Sequence, residues 1–132
     1  MRTIRSFEDL DVWKVGRELR KELYSVADRL PNKESYNLAA QIRSAAIPLT
    51  ANIAEGYGRF HFKENIRFCR MSRGSAYGLL DHLTTCKDQG YLKEKDYQEL
   101  YARLSRFSQL LNGYIRSIGK SSLSKDAPTS DE

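Results

Sequence analysis

Residues 52 to 59 read NIAEGYGR, which packs an amide (Asn52), a carboxylate (Glu55), two glycines (Gly56, Gly58) and a guanidinium (Arg59) into eight positions. Such a set could hold a phosphate or move a proton. Phosphate loops, however, follow a strand and lead into a helix whose amide groups face the anion, and a lone GxG carries little weight. Here the glycines end a helical stretch, so Gly56 and Gly58 read as the exit from one helix into the next. Glu55 then occupies a last helical turn, where an anion opposes the helix dipole and needs a partner. Arg59 and Arg43 are both near in sequence. Gln41, Asn52 and Glu55 fall along one edge of their helix's apolar stripe, which predicts a polar seam buried between helices or subunits and fully hydrogen-bonded.

Other groups capable of chemistry do not converge. Ser75, Asp81 and His82 contain the atoms of a triad, but on one helix the serine and histidine lie about 10 Å apart along the axis. His61 and His82 are the only histidines, and no spacing of His, Cys, Asp or Glu matches a metal site. Glu55, Asp81 and Asp88 form no carboxylate pair. The expectation is a protein with no catalytic residues, no metal, no cofactor and no small-molecule substrate. Cys69 and Cys86 fall on the same predicted helix, roughly 25 Å apart, and so read as reduced, semi-buried thiols. That fits a cytoplasmic protein.

A basic stripe is the stronger signal. At about 100° per residue, Lys63, Arg67, Arg70 and Arg73 share an arc of roughly 120° opposite the apolar face of their helix, and Arg59 extends the line. Ile66 and Tyr77 lie inside the same arc. Cations there could neutralise phosphates while Tyr77 stacks on a base or ribose. A solvated helix face, or a subunit interface that buries Ile66 and Tyr77 beside the arginines, would use the same residues.

The elements that must position these groups are helical. The chain has 132 residues, 40% hydrophobic and 30% charged with three prolines, which suits one domain with a single core. Its net charge is +5 and its pI about 9.3. The segment from Lys120 onward sets two lysines against three acids, so the positive charge belongs to the folded part and favours a polyanionic partner. No apolar run approaches the roughly 20 residues that cross a bilayer, and MRTIRSFEDLDVW has no hydrophobic signal region.

Apolar residues recur at three- and four-residue steps in four stretches. The first, about residues 9 to 30, aligns Leu10, Trp13, Gly16, Leu19, Leu23, Val26, Ala27 and Leu30, with Ser6 and Asp9 as a capping box. The second, about 34 to 56, aligns Leu38, Ile42, Ala45, Leu49, Ile53 and Gly56, and Pro48 should kink or divide it. The third, about 62 to 89, buries Phe68, Ser75, Leu79, Leu83 and Cys86 and is capped by Gly90. The fourth, about 93 to 118, stops at Gly119, leaving residues 119 to 132 as a polar, disordered tail. Short breaks between long helices predict an all-α, antiparallel up-down-up-down four-helix bundle over residues 1 to 118.

FEDLDVWKVGRELRKELY, NLAAQIRSAAIPLTANIAEGYGR, RGSAYGLLDHL and QGYL resemble the four-helix-bundle proteins encoded in intervening sequences of bacterial 23S rRNA genes. The resemblance covers about residues 7 to 118, and QIRSAAIPLTANIAEG is its most specific part. Gln41, Arg43, Pro48, Asn52, Glu55, Gly56, Gly58, Arg59, Gly74 and Ser75 match the family motif. Gly78 departs from it, standing where the family places glutamate. The resemblance implies a homopentamer without known catalytic activity. Related bundle proteins act as nucleic-acid-binding accessory factors of diversity-generating reverse transcriptases through a basic surface on a pentameric barrel. RNA or DNA is the partner implied here; the alternative is a protein-interaction scaffold or accessory subunit that touches no nucleic acid.

Overall fold

The structure, a computed structural model, describes residues 3–124. It is all-α: α1 (Asp11–Asp28), α2 (Leu38–Tyr57), α3 (Phe62–Asp88) and α4 (Glu94–Ser124), with no strand among the described residues. α2 packs on α1 and α3, and α4 packs on α3 and α1, so every helix has two neighbours around one core. Leu19 and Leu23 of α1, Ile42, Leu49 and Ile53 of α2, Leu79 and Leu83 of α3, and Leu104, Phe107 and Leu111 of α4 are sealed from solvent. Each such side chain contributes roughly 1.5–3 kcal/mol by leaving water.

Helix boundaries depart from the periodicity where local hydrogen bonding intervenes. The capping box forms, with Asp9 accepting from the Ser6 amide and Ser6 Oγ accepting from the Glu8 amide, but it caps a single 3₁₀ turn, Phe7–Asp9, rather than α1. α2 begins four residues later than predicted, after another 3₁₀ turn, Asn32–Glu34. Glu34 supplies what a cap would: Oε1 accepts from the Leu38 amide and from Asn37 Nδ2, both at 3.3 Å. Its other oxygen accepts from the Tyr91 hydroxyl at 2.8 Å, tying the α1–α2 link to the α3–α4 link.

That bond from Tyr91, with the Leu38 and Asn37 bonds, holds the Glu34 carboxyl below its ordinary 4.5, against a weaker desolvation effect. Because the folded pKa is depressed, the bond's stabilisation is present above the unfolded value and fades as pH falls through the folded one. Thermal melting between about pH 6 and about pH 3 should therefore fall less in a Tyr91→Phe protein than in the parent. Parallel acid losses in the two proteins would contradict this coupling.

Pro48 neither divides α2 nor ends it. The carbonyl it leaves without a donor belongs to Ser44, an exposed residue, so solvent can reach that side of the helix. Ser72 of α3 donates to the Leu49 carbonyl at 2.7 Å and pins the next turn. Gly90 does stop α3: it has φ 78°, its amide bonds the Lys87 carbonyl, and the Tyr91 amide bonds Cys86, a Schellman arrangement. Gly119 does not stop α4, which continues to Ser124. A glycine inside a helix costs about 1 kcal/mol without forcing an end, and Ile118 beside it is buried. The rest of the predicted tail lies outside the described residues.

Gly56 corrects a second expectation. It lies within α2 and is buried, and a Cβ there would stand 2.7 Å from Asn65 Oδ1 and 3.0 Å from both the Asn65 carbonyl oxygen and Phe68 Cβ. Its role is close approach of α2 to α3, not a turn. Gly16 does the same for α1, where a Cβ would meet Phe107 at 2.9 Å.

Both cysteines are free and fully buried. Burial pushes the Cys69 thiol up to about 12 and the Cys86 thiol to about 11. A thiol-specific chromogenic reagent at neutral pH should find no reactive thiol in the native protein and two after unfolding. Rapid native labelling would show that the core opens.

Candidate nucleic-acid interface

α3 presents its apolar side, with Cys69, Ser72, Ala76, Leu79, Leu83 and Cys86, to the core, and this fixes which residues face outward. Lys63, Arg67 and Arg70 are exposed on the opposite side, in line with the 100° turn per residue. None of the three has an ion-pair partner among the described residues. The Arg67 guanidinium lies over the Phe68 ring, 4.7 Å from its centroid, which steadies it while the residue stays exposed. Tyr77 is 60% exposed on the same side and Met71 47%. Ile66 turns inward and packs against the core.

The two ends of the predicted stripe are engaged. Arg59 precedes α3, bonds Glu55 Oε2 at 3.0 Å, approaches Glu64 Oε1 at 3.6 Å, and also lies over Phe68, 5.0 Å from its ring centroid. Two carboxylates therefore offset its charge. Arg73 is half-buried and donates to Asn112 Oδ1 of α4 at 2.7 Å. Positive potential over this face consequently rests on Lys63, Arg67 and Arg70.

Glu55 has found its partner in Arg59, four residues on, while Arg43 bonds Asp28 of α1 at 2.6 Å. The pair is about half exposed, the regime in which an ion pair is worth roughly 0–1 kcal/mol. Glu55 and Gln41 are exposed in the protomer and Asn52 is half-buried, so within one chain the three do not form a sealed seam. The buried polar contact between α2 and α3 is instead Ser72 to Leu49; the periodicity marked Leu49 as a core position but placed Ser75, which is half-buried, on the inner face in place of Ser72.

Ser75, Asp81 and His82 run along α3 with no hydrogen bond joining them among the described residues. No group of three His, Cys, Asp or Glu residues is placed to hold a metal ion among the described residues. No helix there is long and apolar enough to cross a membrane. A shallow groove of about 480 Å³ runs between α1 and α2, lined by Arg20, Lys21, Tyr24 and Ile47. Arg20 donates to Thr50 at its edge at 2.6 Å.

Sequence periodicity did not reveal which helix lies beside the stripe. Arg73 and Asn112 place α4 there, and a charge census of α4 would have marked it. From residue 100 to residue 124 the chain carries Arg103, Arg106, Arg116 and Lys120 and no acid at all.

No curated protein matches the chain. The family model described as 23S rRNA-intervening sequence protein matches residues 8–113, which include α2, α3, the NIAEGYGR string and the basic stripe, and the chain belongs to that family.

Proposed function

We propose that this protein is a non-catalytic, homo-oligomeric four-helix bundle of the cytoplasm that binds RNA or DNA through the basic face of α3. Arg59, Lys63, Arg67, Arg70, Arg73 and Tyr77 form the surface, with Lys63, Arg67 and Arg70 supplying the charge. One observation carries the reading: three exposed cations without ion-pair partners among the described residues line one helix beside an exposed aromatic ring. Fixed cations at such spacing gain affinity for a polyanion by releasing its counterions.

The up-down-up-down course is supported by paired contacts whose numbers run in opposite directions. Arg20 meets Thr50 and Asp28 meets Arg43; Leu49 meets Ser72 while Gly56 meets Asn65; Arg73 meets Asn112 and Thr84 meets Tyr97. Assembly of subunits is supported by α2, whose only charged residues are Arg43 and Glu55 and whose outward side carries Ile47, 49% exposed, beside Ala51. Between the exposed polar residues Ser44 and Glu55 this outward side is apolar, and a neighbouring subunit seated there would bury it. The resemblance to ring-forming bundles supports a pentamer as the form of that assembly. This same apolar face supports a second reading, a scaffold that binds only protein.

Electrophoretic mobility shifts at low salt test the main reading, with retarded RNA or DNA expected and unretarded probe at high micromolar protein overturning it. Light scattering behind a sizing column should report several protomers. A monomer at the same concentration would remove the ring.

A further inference from the structure

The cationic surface does not end at α3. Asn112 faces Arg73, and on α4 Arg116 lies one turn beyond Asn112 and Lys120 two turns beyond, both exposed. Because Thr84 pairs with Tyr97 while Arg73 pairs with Asn112, positions after 112 come level with positions before 73. Arg116 and Lys120 therefore come level with the part of α3 that precedes Arg73 and carries Lys63, Arg67 and Arg70. Arg103 leans the other way, 3.9 Å from Glu22 of α1. Of the acids nearby, Glu64 is turned to Arg59, and Asp81 is exposed one turn past Tyr77, where it bounds the patch.

Tyr77 adds a different kind of contact. Gly74 and Gly78 flank it, and a Cβ at either would meet nothing within 4 Å, so the ring stands beside bare backbone with room for a flat partner. A duplex keeps its bases stacked inside and gives an aromatic ring little to bind, whereas an unpaired base stacks on it readily. From Lys63 to Tyr77 the helix rises about 21 Å, the length of roughly six stacked nucleotides.

The geometry points to single-stranded RNA or DNA as the ligand of this surface, its phosphates tracked by Lys63, Arg67 and Arg70 on α3 and by Arg116 and Lys120 on α4, with a base stacked on Tyr77. This rests on the nucleic-acid reading above and goes beyond it in naming the strand state and the second helix.

Fluorescence anisotropy on the full chain tests it with three labelled probes of about 12 residues: an oligouridylate, an oligothymidylate and a mixed-sequence duplex. The two single-stranded arms separate ribose from deoxyribose partners. Tighter binding of a single strand than of the duplex is expected. Tyr77→Leu should weaken single-strand binding by about 5- to 150-fold and leave duplex binding and the salt slope unchanged, while Tyr77→Phe retains affinity. Arg116→Gln/Lys120→Gln should flatten the slope of log K against log salt by about 1.4. Equal or tighter duplex binding together with an inert Tyr77→Leu, or an unchanged slope in the α4 double variant, would overturn the inference while leaving the basic face as a binding surface. Failure of all three probes to bind the parent at low salt would overturn the face itself. Unshifted thermal melting of the Tyr77 and α4 variants keeps misfolding out of these comparisons.

Discussion

An Arg67→Glu/Arg70→Glu protein is expected to lose nucleic-acid affinity by roughly a hundred- to a thousandfold at low salt. Each reversal removes one phosphate contact and adds one repulsion, and a unit-charge interaction at contact distance in water is worth on the order of 1 kcal/mol. Four such effects approach 4 kcal/mol. Both residues are exposed, so the fold should survive; Arg67 alone gives up its position over Phe68, worth about 0.5–1 kcal/mol at an exposed site. Lys63→Glu/Arg70→Glu makes the cleaner companion, because neither side chain stacks on a ring among the described residues. Circular dichroism should show native helix content in both proteins. Full affinity in either charge-reversed protein would show that the stripe is an ordinary solvated face.

Gly56→Ala should destabilise the fold by about 1–3 kcal/mol, whereas Gly78→Ala should stabilise it by about 0.5–1 kcal/mol. The added atom is the same in both. At Gly56 it meets Asn65 and Phe68 at 3.0 Å or less, and one of those contacts is to backbone, so α2 and α3 must move apart. Overpacking outweighs the gain in helix propensity there. At Gly78 the space is open, so only the propensity gain remains. Urea titration of both variants against the parent measures the two signs. A stabilised Gly56→Ala would mean that the helices do not approach as closely as the structure places them.

The helices were legible in the sequence because an amphipathic pattern needs only the period of the helix. Leu19, Leu23, Ile42, Leu79, Leu83 and Leu104 recur on that period and all are buried. What the pattern missed depended on partners distant in sequence. Glu34 caps α2 and reaches Tyr91, 57 positions away, so the start of α2 could not be read from local residues. Gly56 looked like a turn because glycine's absent Cβ serves both a positive φ and a close approach, and only the position of Asn65 separates the two. Local spacing proposed two partners for Glu55, and the structure assigns Arg59 because Asp28 on α1 occupies Arg43. The basic stripe was legible as an arc, yet two of its cations are engaged by Glu55, Glu64 and Asn112, and the cations that extend it lie on α4. NIAEGYGR is thus a packed helix end with an exposed ion pair; its Arg59 opens the surface proposed for binding, and the cations that supply its charge begin one turn later at Lys63.

Affinity for RNA or DNA as a function of salt tests the central claim most directly, because it counts phosphate contacts. With Lys63, Arg67 and Arg70 engaged, the slope of log K against log salt should be about −2 or steeper per protomer for a single strand, at least a fifteenfold loss between about 50 mM and about 200 mM salt. A flat dependence over that range, or no binding at its lower end, would contradict the account.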